Sequence, residues 1–287
     1  MSGPWAAPAP HSGGAAVPRL KWHQLRRRAN DPVFQRANLE AGLTTGAAVE
    51  VDLVATADGH FVCLHDLTLD RETTGSGPVR ALPRAEIEQL RQRANDGAPL
   101  AEPPLFLDEV VAACRRHGVR SGARVQLDMK EPDAGLDAAL LRRFAAVLGE
   151  VAPAFVAGGC EWAPIVRLAA AAPGLAKGFD PLDWHRADPP RDAAAFEALA
   201  ARVLAEAPDA AIYYLHADLV LTGLAAGVNL VERLSRRGAE IDAWTVDPDR
   251  PNLRADLARL IEAGCHQITT NDPEALTPII REIAECS

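Results

Sequence analysis

No run of the 287-residue chain approaches the roughly 20 apolar residues needed to cross a bilayer, so stable membrane insertion is not expected. Cysteine is sparse and unpaired in pattern: Cys63, Cys114, Cys160, Cys265 and Cys286 are odd in number and form no CxxC. That excludes a disulfide framework or a zinc knuckle and points to a reducing, cytoplasmic setting. Basic excess is lacking too, with 30 Lys and Arg against 39 Asp and Glu for a net charge of −9. A chain this acidic is not expected to bind nucleic acid, because phosphate contacts need clustered cations. The one basic cluster, Arg26-Arg27-Arg28, reads as solvated surface, although its nearness to His23 leaves an anion-binding role open. There is no internal repeat, low-complexity core segment or second-domain linker. Residues 1–18 lack both a basic start and an apolar run, so they are expected to be a flexible tail and not a signal peptide. With 48% hydrophobic and 5% aromatic residues, the chain reads as alanine-rich and globular, with its folded body expected over residues 19–287. Nothing in the pattern speaks to oligomeric state.

Short β-like runs alternate with longer helical ones. The strand candidates are Leu20–His23, Ala48–Val54, Arg124–Met129, Ala154–Ala157, Leu175–Phe179, Ala211–Leu215, Ile241–Val246 and Gln267–Thr270. Helical periodicity covers Leu107–His117, Leu136–Leu148, Ala163–Ala171, Ala193–Ala205, Leu219–Arg237, Leu253–Ala263 and Pro273–Glu285. Several helices run into the glycine expected after a C-terminus, as at Gly118, Gly238 and Gly264. Eight strands each followed by a helix fit an α/β protein of the (β/α)8 TIM-barrel type better than an open doubly wound sheet. One segment breaks the rhythm: about 66–104 holds only a short helical piece, Pro83–Arg93, and is expected to form a small inserted cap after the second strand, over the barrel mouth.

The second strand carries the chemistry. Val49, Val51 and Leu53 alternate with Glu50 and Asp52, so one face is apolar and the other acidic. Carboxylates about 7 Å apart on one face repel unless a cation lies between them, and an all-oxygen set suits a hard ion such as Mg²⁺ or Ca²⁺. Gln126, Asp128 and Lys130 share a face of the next strand. Interior barrel positions are normally apolar, so these charges are expected only near the mouth, sharing a cation and an anionic ligand. His23 ends the first strand, and His65 follows the second by a short hairpin through Asp58-Gly59. Two imidazoles flanking a phosphate can serve as base and acid. His216, at the end of the sixth strand, is a further residue within possible reach.

Val49-Glu50-Val51-Asp52, then Thr56-Ala57-Asp58-Gly59-His60-Phe61-Val62, His65-Asp66 and Leu69 to Val79 resemble the signature of the glycerophosphodiester phosphodiesterase family. Glu102 to Val110, Leu127-Asp128-Met129-Lys130, Ala243 to Asp247 and Gly264 to Pro273 resemble later elements of the same family, so the similarity spans about Leu20 to Leu276. The resemblance implies a metal-dependent phosphodiesterase that releases glycerol 3-phosphate and an alcohol. Glu50, Asp52 and Asp128 become ligands of one divalent cation, Mg²⁺ or Ca²⁺. His23 and His65 become the acid/base pair, and Lys130 holds a phosphoryl oxygen. Trp244 becomes either an apolar wall for the glycerol or a core tryptophan.

Three departures stand out. The family's opening His-Arg-Gly is His23-Gln24-Leu25 here, so its arginine charge is missing unless Arg26 or Arg28 replaces it. The following Glu-Asn-Thr element has no counterpart in Asn30-Asp31-Pro32-Val33, and Asp128 stands where glutamate is usual. The Asp-x-Lys form also occurs in sphingomyelinase D-type barrels. Two further readings are therefore a catalytically weak barrel that binds a phosphorylated ligand, and a lysophospholipase D or sphingomyelinase D-like lipid phosphodiesterase.

Overall fold

A computed structural model describes residues 17–120 and 123–286, with side chains as far as 283. The expected tail, residues 1–18, lies almost wholly outside the described residues. The strands are β1 (Arg19–Trp22), β2 (Ala48–Ala55), β3 (Phe61–Cys63), β4 (Val125–Met129), β5 (Phe155–Gly158), β6 (Ala176–Phe179), β7 (Ile212–His216), β8 (Glu240–Trp244) and β9 (Gln267–Thr270). The helices are α1 (Arg36–Thr45), α2 (Arg84–Ile87), α3 (Leu107–His117), α4 (Ala138–Leu148), α5 (Trp162–Ala171), α6 (Leu182–Ala187), α7 (Ala193–Glu206), α8 (Ala217–Ala225), α9 (Leu230–Ser235), α10 (Leu253–Glu262) and α11 (Pro273–Cys286). Parallel pairing runs β1-β2-β4-β5-β6-β7-β8-β9 and closes from β9 back to β1, while β3 adds only an antiparallel hairpin to β2. Closure leaves no free edge among these eight strands, and the chain is a (β/α)8 barrel.

The barrel forms because its strands are apolar toward the helices. Val49, Val51 and Leu53 of β2 and Val125, Leu127 and Met129 of β4 are buried with residues of α1, α3, α4 and α5 in one continuous core. A second core, around Tyr213, Leu215, Ile241 and Ile268, packs the later strands against α7 to α11. The starts of α4 and α7 are set by side chains: the Asp137 carboxylate accepts from Leu140 N at 2.8 Å and that of Asp192 from Ala195 N at 2.9 Å. Gly118 ends α3 at φ +75°, a conformation a side chain at that position would resist.

Two expected helices are shorter than their periodicity. Leu219–Arg237 divides into α8 and α9 because Gly227 turns at φ +81° and Asn229 restarts the helix by accepting from Glu232 N at 3.2 Å. Pro83–Arg93 is helical only over Arg84–Ile87, since Gln92 and Arg93 bridge to Thr73 and Pro99. Two helices, α1 and α6, were not expected. The segment 66–104 folds around its own small core, in which Leu69, Val79 and Ile87 pack on Val54, Val62, Leu64 and Phe106. No helix among the described residues is long and apolar enough to cross a membrane.

Candidate active site

The register of β2 against β4 pairs Glu50 with Gln126 and Asp52 with Asp128, so the acidic face of one strand meets the polar face of the next. One carboxylate oxygen from each of Glu50, Asp52 and Asp128 falls within 4.8 Å of the others. Glu50 and Asp52 are buried and Asp128 is partly buried. These residues, with Lys130, His23, His65 and Trp244, line one cavity of about 310 Å³ on the barrel axis. Seven of the eight candidate residues thus converge. The eighth, Arg26, is not among the lining residues. Its Nη1 donates to Asn271 Oδ1 at 3.0 Å and its Nη2 to Asn95 Oδ1 at 3.3 Å.

The electrostatics explain how so much charge is tolerated. Lys130 Nζ lies 2.5 Å from Asp128 Oδ2 and 3.1 Å from Asp52 Oδ1. Burial opposes the charge on Lys130, but Asp128 and Asp52 outweigh it and hold the amine above its ordinary range. Asp128 is held below the usual carboxylate range, because Lys130 more than offsets its burial. Glu50 goes the other way: burial raises it more than Lys21 and His23 lower it. Asp180, at the end of β6, is pushed well above the carboxylate range by burial and then by Asp128. It stands in the cavity wall with its Oδ1 accepting from Leu182 N at 2.8 Å.

The polar interior runs deeper than expected. Lys21 of β1 is 2% exposed, and its Nζ meets Asp242 Oδ2 at 2.8 Å, Glu50 Oε2 at 3.6 Å and the Gln126 amide oxygen. It also lies 4.4 Å from the ring centroid of Tyr214. Asp242 accepts from Thr269 Oγ1 at 2.7 Å and from Gln267 Nε2 at 2.5 Å. Below them Arg19 pairs with Glu240 at 2.5 Å. The apolar layers expected inside the barrel are largely replaced by this network, because each charge finds an opposite partner.

Each histidine is oriented by a neighbour. His23 Nδ1 is 2.8 Å from Asn271 Oδ1, and since an amide oxygen can only accept, Nδ1 carries the proton and Nε2 is left for the cavity. Asn271 is itself fixed by Asp247, whose carboxylate accepts from its backbone and side-chain nitrogens at 2.8 Å each. His65 Nδ1 is 2.9 Å from Asp66 Oδ1, and Arg71 closes a fork on the same carboxylate at 2.7 and 2.8 Å. Those hydrogen bonds, Arg71's first, lower Asp66 to about 2 against partial burial. The buried Glu72 carboxylate accepts from the backbone of both His65 and Asp66 at 2.9 and 3.0 Å, fixing the loop.

Gln24, in place of the family arginine, is not among the lining residues and turns its amide onto Asp52. It sits at φ +52° and donates from Nε2 to Asp52 Oδ2 at 2.8 Å. The other oxygen of Asp52 is buried and accepts no hydrogen bond among the described residues, although Lys130 lies within ion-pair distance. An orphaned carboxylate oxygen within a three-carboxylate set suits a hard cation. Trp244 is half-buried, with the His216 ring 5.3 Å away in an edge-on contact, and lines the cavity as a wall. His216 is not among the lining residues.

Sequence reasoning did not single out Lys21, Asp242, Asn271, Asp180 or Arg186 for the site. For Lys21 and Asp242 a signal was present: a charge at an inward strand position where an apolar residue is expected. Arg186 lines the cavity from α6, a helix whose periodicity is too short to read.

Comparison with known proteins agrees with this geometry. The family model of the glycerophosphoryl diester phosphodiesterase family matches residues 37–275, a stretch that begins after His23 and contains the acidic cluster, His65, Lys130 and Trp244. A glycerophosphodiester phosphodiesterase 1 of Bos taurus is 38% identical over 84 residues, 28% of this chain and 25% of that protein. A glycerophosphodiester phosphodiesterase of Caldanaerobacter subterraneus is 39% identical over 62 residues, 21% of this chain and 26% of that protein. The chain thus aligns with only about a quarter of the length of the curated relatives it matches. Among solved structures, an Oleispira antarctica phosphodiesterase in complex with the product sn-glycerol-3-phosphate superposes with a TM-score of 0.65 at 21% identity, covering 92% of this chain and 97% of that one. A glycerophosphodiester phosphodiesterase from Agrobacterium tumefaciens does so with a TM-score of 0.63 at 19% identity, covering 90% and 98%. At these identities the superpositions speak for the fold, and the matched residues together with the converging acidic and histidine side chains show that the chain belongs to the glycerophosphoryl diester phosphodiesterase family.

Proposed function

We propose that the protein hydrolyses glycerophosphodiesters to glycerol 3-phosphate and an alcohol, with His23 and His65 as the acid/base pair and one Mg²⁺ or Ca²⁺ held by Glu50, Asp52 and Asp128. The observation that carries this reading is the convergence of both imidazoles and three carboxylates on a single 310 Å³ cavity. When bound, the cation withdraws charge from the phosphoryl oxygens. One histidine takes the proton from a glycerol hydroxyl as its oxygen forms a bond to phosphorus. The other gives a proton to the alcohol oxygen as the ester bond breaks. Water then opens the resulting cyclic phosphate with the proton roles reversed. The attacking hydroxyl belongs to the substrate itself, which gives it a large entropic advantage. Asn271 and Asp66 hold the two rings so that each presents Nε2. Lys130, released from its carboxylates, offers a point charge to a phosphoryl oxygen. Product complexation with sn-glycerol-3-phosphate in the Oleispira antarctica phosphodiesterase supports the same substrate class.

The test is turnover of glycerophosphocholine with Mg²⁺ or Ca²⁺ and with EDTA. Release of glycerol 3-phosphate that stops in EDTA is expected; equal turnover without metal refutes the mechanism. One observation favours a second reading, a barrel that binds phosphodiester but turns it over slowly: the position of the family arginine is spent on Asp52. Calorimetry showing tight binding without product distinguishes it, and Gln24→Arg should then raise activity. A lysophospholipid substrate needs an apolar lip for its acyl chain, yet the exposed large hydrophobic residues are only Val17, Leu67 and Val166 among those described.

A further inference from the structure

The cavity has three cations, and two are already engaged: Lys21 by Asp242 and Glu50, Lys130 by Asp128 and Asp52. The third, Arg186, is exposed, lines the cavity, and has no hydrogen bond or ion pair among the described residues. Its place in the barrel gives it a direction. The order β1-β2-β4-β5-β6 sets β6 four strands from β1, directly across the eight-stranded ring, and Arg186 is carried by α6, which follows β6. His23 follows β1, so Arg186 stands across the mouth from His23, while β4 with Asp128 is two strands from β6; a phosphoryl group held between His23 and the acidic cluster has Arg186 on the wall opposite His23. The substituent that crosses the mouth arrives beside it.

On that wall, among the lining residues Cys160, Asp180, Leu182 and Arg186, only Arg186 is exposed, and it is a cation; Asp180 is partly buried, with its Oδ1 accepting from Leu182 N at 2.8 Å. Asp183 is exposed and is not a lining residue. A quaternary ammonium would need a carboxylate or an aromatic cage, and Trp244 alone is no cage. A guanidinium fork instead matches a phosphate monoester, two donors to two oxygens.

Resting on the proposed function, we propose that Arg186 is a specificity residue that selects glycerophosphodiesters whose alcohol half carries a second phosphate. The experiment measures kcat/KM, with Mg²⁺ or Ca²⁺ present, for glycerophosphoinositol 4-phosphate and for glycerophosphoinositol, which differ only in that group. A preference of about tenfold for the phosphorylated ester is expected, the usual value of a charge-assisted contact. In Arg186→Ala the ratio should fall to within about twofold of unity, and Arg186→Lys should restore part of it. A wild-type ratio at or below one overturns the inference. So does an equal loss on both esters in Arg186→Ala, which would place the guanidinium on the diester phosphorus. Turnover of neither ester refutes the hydrolase reading itself, an outcome distinct from turnover without preference.

Discussion

Replacing Lys21 by methionine removes the central cation of the barrel interior while keeping its length and most of its volume. The amine meets Asp242 at 2.8 Å and Glu50 at 3.6 Å, and its loss leaves the fully buried Asp242 carboxylate facing only Thr269 and Gln267. Breaking one side of a buried ion pair costs about 3–5 kcal/mol, because the charge left behind has neither partner nor water. For a chain of this size that lowers Tm by on the order of 10 °C. Asp242 and Glu50 raise Lys21 above its ordinary value despite the burial that lowers it, so this contribution is whole at neutral pH and is lost only as pH rises through the folded value. Thermal unfolding in EDTA at neutral pH reads the loss. Asp242→Leu in the same chain should recover most of it, since an apolar pair can replace a buried ion pair at little cost. Added Mg²⁺ should also restore part of the loss, because a carboxylate cluster without Lys21 binds a cation more tightly and ligand binding stabilises the folded state. A fall of less than about 1 kcal/mol in EDTA would refute the view that this network holds the barrel together.

His23→Ala and His65→Ala should each lower kcat by about 10² or more while cation binding measured by calorimetry persists, and loss of only a few-fold would remove either ring from the acid/base pair. Asp66 is held at about 2 by Arg71 and His65, so its stabilisation is present above the unfolded carboxylate value of about 3.9 and is lost as pH falls through about 2. The stability difference between wild type and Asp66→Asn should accordingly be small, under about 1 kcal/mol for a partly buried surface carboxylate, constant near neutrality and gone at about pH 2. A difference that grows in acid would contradict the assignment.

The barrel was readable from the sequence because its strands alternate so regularly with helices. Each of the eight candidate runs overlaps a strand of the closed sheet, and Leu107–His117 coincides with α3. The misses have local causes. α1 buries only Leu39, Gly42 and Leu43 along its apolar stripe, and α6 is six residues long, so neither makes a clear period. The acidic cluster was legible for another reason: Glu50 and Asp52 share one strand face, and a two-residue period is visible without knowledge of the fold. Lys21 and Asp242, like His23 and Asn271, lie far apart in the chain and meet only when β1, β8 and β9 are neighbours. Gln24 shows the limit most plainly. The sequence reveals a missing arginine, but only the fold shows its amide turned onto Asp52, with Arg26 tied to Asn271 outside the cavity.

The most direct test of the central claim is a crystal structure grown with Ca²⁺ and glycerol 3-phosphate, with the cation located by its anomalous signal. The expected result is one ion bound by oxygens of Glu50, Asp52 and Asp128 at about 2.3–2.6 Å, Lys130 moved from between Asp52 and Asp128 onto the phosphate, and His23 and His65 on either side of it. An ion bound elsewhere, or a phosphate out of reach of both imidazoles, would contradict it.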